Sequence, residues 1–239
     1  MKNLNWFSRG LAIAGVFAVT SASAGPVVWT DWTSITTGSA IGTLGGVTVT
    51  ATANSGSING LSQTGTGTNY WTEPNALDKP YTGGSADNAP TPKEQVGLDS
   101  AVTMTVTFSS PIYQLYMGLL SVGREGNTVT YDFDQAFNID SEGQGYWGND
   151  PTDGALAAGD KLTGREFHGL LLFSNPVTTL SFTTAPGENW HAFTFGNGCI
   201  PDTCCAGDPD CNVPEPGTLA LLAAALLGAG VVTRRQRAA

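Results

Sequence analysis

The sequence predicts an all-β fold, an antiparallel β-sandwich of jelly-roll type, and three observations predict it. Several short segments alternate strictly between apolar residues and threonine, the period of a strand with one buried face. Only 13% of the 239 residues are charged while 31 are glycine, a balance in which turns take Gly and outward strand faces take Thr. Between the two ends of the chain, no stretch carries the apolar period of an amphipathic helix. With 41% hydrophobic residues the chain is not of a disordered composition.

The elements follow in order. Lys2 and Arg9 form a basic start, residues 11–19 an apolar run, and Ala22-Ser23-Ala24 an A-x-A site. Residues 1–24 therefore read as a secretory signal peptide cut after Ala24. The body that remains, residues 25–198, has the length of one domain with a sizeable core. In residues 46–53, Val47, Val49 and Ala51 share a face and the threonines take the other. In 102–108, Val102, Met104, Val106 and Phe108 face in while Thr103, Thr105 and Thr107 face out; in 128–133, Val129, Tyr131 and Phe133 face in. Shorter runs at 113–120, 167–173, 178–183 and 192–195 bring the expectation to seven to ten strands.

Two Phe-Ser-x-Pro sequences, Phe108-Ser109-Ser110-Pro111 and Phe173-Ser174-Asn175-Pro176, each read as a strand end followed by a proline corner of the sandwich. Residues 54–99 form a long polar stretch with Tyr70-Trp71 and four prolines. It is too long for a structureless loop, so it hides one or two strands beside a surface loop. Residues 134–162 form a second irregular stretch, with Gly145-Tyr146-Trp147-Gly148. Loops of this length on a sandwich are where binding function sits.

Candidate chemistry is sparse. Only His168 and His191 are present, with neither a G-x-S-x-G elbow nor H-E-x-x-H, and His168 reads as a structural histidine. A glycosidase needs two carboxylates across a cleft; Glu166, Glu188, Asp132 and Asp134 are the candidates. The densest cluster is Glu188-Asn189-Trp190-His191. Trp190 could stack on a sugar ring while Glu188 and Asn189 bond its hydroxyls, and Trp71 and Trp147 could act likewise. The alternative is Trp190 as a core plug at a strand start. The Thr48/Thr50/Thr52 and Thr103/Thr105/Thr107 rows could order water as an ice-binding array, though solvent-facing Thr in a sheet explains them.

The cysteines Cys199, Cys204, Cys205 and Cys211 all lie in the segment 199–212. In an oxidising space they would form disulfides, with three connectivities open. A direct Cys204–Cys205 bridge would strain its ring, which favours outward bridges to Cys199 or Cys211. Zinc is the rival, weakened by the lack of a nearby His. Asp202, Asp208 and Asp210 miss the spacing of a calcium loop, so structural Ca²⁺ is at most an accessory and no other cofactor is expected.

Residues 213–239 close the chain. Val213-Pro214-Glu215-Pro216 is a stiff spacer, followed by a 219–232 run of Leu, Ala, Gly and Val only, and then Arg234, Arg235 and Arg237. The run is short for a stable transmembrane helix, which needs about 20 residues. The arginines stay cytoplasmic and put everything before Pro214 across the membrane. A spacer, a marginal span and a basic stop are the parts of a sorting signal. They resemble the PEP-CTERM signal of Gram-negative bacteria, with Gly217 where that family more often has Ser or Ala. The resemblance implies recognition by exosortase, a membrane-embedded transpeptidase that removes the tail, and hence membrane attachment before processing and a cell-surface or extracellular location after it.

Of the chain's 10 basic and 20 acidic residues, Lys2, Arg9, Arg234, Arg235, Arg237 and Glu215 belong to the two end signals. This leaves 5 against 19 in residues 25–212, a net −14. So acidic a body excludes nucleic acid and anionic lipid as partners through its general field. The expectation is therefore an exported, non-catalytic surface or matrix protein, associated with exopolysaccharide and biofilm. A carbohydrate-binding module is the first alternative and a glycan-active enzyme the second.

Overall fold

The computed structural model describes residues 25–148 and 155–198. The signal peptide, the four cysteines, Asp202, Asp208, Asp210 and the whole of 213–239 lie outside them. The described residues contain fifteen strands and no helix. In chain order they are β1 (Val28–Trp29), β2 (Asp31–Ile35), β3 (Ser39–Leu44), β4 (Val47–Ser55), β5 (Gln63–Thr64), β6 (Glu94–Leu98), β7 (Val102–Ile112) and β8 (Leu115–Val122). There follow β9 (Val129–Phe133), β10 (Asn138–Glu142), β11 (Ala155–Ala158), β12 (Lys161–Gly164), β13 (Phe167–Phe173), β14 (Val177–Ala185) and β15 (His191–Asn197).

They form two antiparallel sheets. One runs β11-β12-β9-β14-β7-β4-β3-β2; the other runs β10-β13-β8-β15-β6-β5, with β1 added beside β15. The inner faces meet in one apolar core, where Trp32, Phe108 and Phe182 of the first sheet meet Phe193 and Phe195 of the second edge to face at 5.6–6.5 Å. The alternating segments supply that core as their period requires. Val49, Ala51, Val102, Met104, Val106, Phe108, Val129, Tyr131 and Phe133 are all buried.

Four strands break the alternation for a physical reason. β6, β8, β13 and β15 are buried almost throughout, because the second sheet is covered on its outer face as well. The covering comes from the long polar stretch. Its Trp71, Tyr81 and Ala86 pack on Tyr116, Leu120, Leu170 and Ala192. Gly118 makes room for this cover, since a Cβ there would lie 3.2 Å from the Trp71 ring and from Pro90. The stretch carries β5 and β6, and the rest of it closes over the sheet as an apolar lid.

The two proline sequences do sit where the chain passes between sheets, from β7 to β8 and from β13 to β14. Pro111 does not end its strand, however: β7 continues through it to Ile112. The register against β14 slips between Thr107 and Ile112, and β4 stops pairing at Phe108, so the missing proline N–H interrupts no ladder bond. The threonine rows lie in register across the sheet, Thr50 opposite Thr107 and Thr107 opposite Thr179, half-exposed or exposed as solvent-facing threonines are.

Candidate functional site

A cleft of about 300 Å³ opens where β8 ends and β13 and β15 begin, three strands that are neighbours in the second sheet. Antiparallel pairing brings residues distant in sequence to this one end. Ser121, Gly123 and Arg124 come from the end of β8, Glu166 from the residue before β13, and Glu188, Asn189 and Trp190 from the approach to β15. Tyr70 enters from the covering stretch and Trp147 from the irregular stretch after β10.

The wall is aromatic. Tyr70 stacks on Trp147 with centroids 4.8 Å apart and 22° between planes. Trp190 meets Tyr70 at 5.3 Å and Trp147 at 5.0 Å. Tyr146 closes edge-on against both Tyr70 and Trp147, at 5.0 and 4.9 Å. Tyr146 is 47% and Trp147 46% exposed, and Leu61 at the mouth is 64% exposed. Offset and edge contacts at these distances are favourable geometries for rings, so the group holds itself together while presenting large apolar faces to water.

The polar floor is built around both of the chain's histidines, each fully buried. Glu188 Oε1 accepts from the backbone N–H of Gly123 at 2.7 Å and lies 2.8 Å from His191 Nδ1. His168 Nδ1 accepts from Ser121 N at 3.4 Å and from the Tyr81 hydroxyl at 3.1 Å, which assigns the ring proton to Nε2, 3.3 Å from Glu166 Oε1. The same Glu166 oxygen accepts from Ser121 Oγ at 2.5 Å. Burial pushes the Glu166 carboxyl up, but the neighbouring His168 ring and the Ser121 hydroxyl outweigh that and hold it below the ordinary carboxylate value. Burial, with Glu73 and Glu166 nearby, drives Tyr81 well above the ordinary phenol range, so it stays a neutral donor.

The backbone here is bent to fit. Phe167 faces Val122 and Gly169 faces Leu119, so β8 carries one extra residue opposite His168. Ser121, inside this bulge, has φ +52°, and Glu166 has φ +58°. Only three non-glycine residues among those described have positive φ, and two of them are hydrogen-bonded to each other in the cleft. Bulges and left-handed non-glycine residues concentrate at functional sites.

Of the residues singled out from sequence, Trp190, Glu188, Asn189 and Trp147 converge on this cleft, and so does Glu166. Trp71 does not. It is 3% exposed, edge-on to Tyr81 at 5.2 Å, and its indole N–H donates to the carbonyl of Glu94 at 3.1 Å. It is a core residue of the covering layer, with no face for a ligand. Asp132 and Asp134 lie on the other sheet, bound to Lys161 and to the Ser181 N–H. Sequence reasoning missed Tyr70, Tyr146, Ser121 and Arg124. Tyr70 and Tyr146 each precede a tryptophan already singled out; Ser121 and Arg124 carried no signal. Among the described residues no three His, Cys, Asp or Glu side chains converge as a metal site.

Neither curated proteins nor solved structures provide a match to the chain. The family comparison speaks for the C-terminal end alone: residues 212–236 match the PEP-CTERM protein-sorting motif, so this is an exported protein carrying the C-terminal signal that exosortase processes.

Proposed function

We propose that the exported body is a non-catalytic, polysaccharide-binding surface or matrix protein that works through the cleft at the end of β8, β13 and β15. The observation that carries the reading is the aromatic wall of exposed Trp147 and half-buried Tyr70 and Trp190, standing beside Glu166, Glu188 and Asn189. Flat rings with hydrogen-bonding neighbours match a sugar, which has apolar faces and a polar rim. The alternation of the chain between two sheets from β6 to β10 fits the jelly-roll arrangement, in which loops gather at the ends of the sandwich. The exosortase-type tail would deliver this cleft to the outside.

Two carboxylates in one cleft also invite a glycosidase reading. The binding reading is preferred because both have internal partners. Glu188 Oε1 serves Gly123 and His191, and Glu166 is held ionised by Ser121 and His168. A glycosidase needs one carboxyl raised so that it can donate a proton. The test is binding of the protein recovered from culture medium to an array of insoluble and soluble polysaccharides, the host's own included. Retention on at least one polymer, lost in Trp147→Ala, is expected. Retention on none overturns the proposal, and release of reducing ends from a bound polymer overturns its non-catalytic part.

A further inference from the structure

We infer that the cleft selects polysaccharides carrying free amino groups, with Glu166 as the specificity-determining residue that pairs with the sugar ammonium. This deepens the glycan-binding reading and rests on it.

The wall is closed to a cation between its rings. Tyr70, Trp147 and Trp190 touch one another at 4.8–5.3 Å between centroids, so no ammonium fits between them as in an aromatic cage. Beside the wall, the groups able to form an ion pair with a charged substituent are the carboxylates Glu166 and Glu188. Glu188 is 9% exposed with its Oε1 already shared by two donors. Glu166 is half-buried, and Ser121 and His168 both engage its Oε1. Its Oε2 accepts no hydrogen bond from any described residue.

The carboxylate is also fixed in place. The left-handed backbone at both Ser121 and Glu166 costs about 1 kcal/mol or more per residue, and the Ser121 Oγ to Glu166 Oε1 bond joins the two strained positions. A group held this way loses little freedom on meeting a ligand. The surrounding field has the same sign, since residues 25–212 carry a net −14, which attracts polycations and repels polyuronates. Arg124 on the cleft rim points the other way, but it is exposed and its charge is screened by salt. An acidic polymer is therefore the informative competitor.

The experiment is calorimetric titration of the protein purified from the medium with oligomers of equal length: glucosamine, N-acetylglucosamine, glucose and galacturonic acid. The glucosamine oligomer is expected to bind about tenfold more tightly than the N-acetylated one. Glu166→Gln should bring the two within about twofold, by weakening the glucosamine oligomer far more than the N-acetylated one. Polylysine should not displace the glucosamine oligomer, a control that needs no variant and separates a site from the general field. Equal binding of the glucosamine, N-acetylated and glucose oligomers keeps the glycan reading and overturns this inference, as does preference for the uronate. An amine preference that survives in Glu166→Gln, or that polylysine abolishes, overturns the role of Glu166. Binding to none of the four, or to any host polymer, removes the glycan reading itself.

Discussion

The backbone N–H of Trp32 donates to Glu94 Oε2 at 2.9 Å, joining β2, at the edge of one sheet, to β6 in the other. The Trp32 indole N–H repeats the link by donating to Thr194 Oγ1 at 3.1 Å. Burial pushes the Glu94 carboxyl up to about 7, with the Trp32 bond lowering it and Asp31 raising it. The unfolded chain protonates that group near the ordinary glutamate value, so the folded state holds the proton more tightly. The resulting stability is fully present below about pH 4.5 and is lost as pH rises through about 7. We expect melting to fall by roughly 5 °C between pH 5 and pH 8, on the order of 1–2 kcal/mol. Glu94→Gln should flatten that dependence. Calorimetry across the range checks both, and an unchanged slope in the variant would refute the assignment.

The two tryptophans once paired as candidates should part company. Trp147 is 46% exposed and Trp71 3%. Trp71→Ala removes a buried ring and an indole hydrogen bond, at a cost of about 3–5 kcal/mol. Trp147→Ala should shift stability by less than about 1 kcal/mol and remove most polysaccharide affinity. Parallel melting and binding curves separate them; a Trp147 variant that binds normally would clear the aromatic wall of its role.

Glu188 is a support beneath the cleft. Its Oε1 serves two buried donors, Gly123 N–H and the His191 ring. Glu188→Ala strands both and should cost about 2–4 kcal/mol, whereas Glu188→Gln keeps an acceptor and should cost about 1 kcal/mol. Denaturant midpoints of the two variants give the comparison, and equal losses would show that side-chain volume rather than hydrogen bonding matters here.

How much of this was legible in the sequence follows from which faces are covered. β4, β7 and β9 were readable because one face is solvated, so Val and Thr alternate as burial demands. β6 was not, since every residue from Glu94 to Leu98 is buried and the period disappears. Residues 28–44 were missed because Trp29, Trp32 and Ala40 are buried between small polar neighbours, too sparse to show a period. Trp147 and Trp190 were legible as aromatics in polar company, and so was Trp71, wrongly, because composition does not say which ring turns inward. Ser121 was invisible: it sits in an apolar strand, and its importance comes from a bulge and a partner 45 positions away.

Gly97 offers the sharpest test of how the fold places the cleft. It lies in β6, paired with Ala192 of β15, and is not among the cleft-lining residues. A Cβ added there would meet Trp190 Nε1 at 2.8 Å and its Cδ1 at 3.5 Å, so the absent side chain is what lets the indole lie down over β6. Trp190 in turn sets the height of Tyr70 and Trp147. Gly97→Ala should lift Trp190, disturb the stack and weaken polysaccharide binding about tenfold, with a stability loss of only about 1–2 kcal/mol from overpacking. Tryptophan fluorescence should report the added exposure of the ring. Full affinity in this variant would mean that the position of Trp190 does not matter to binding, and the wall would then have to be argued from Tyr70 and Trp147 alone.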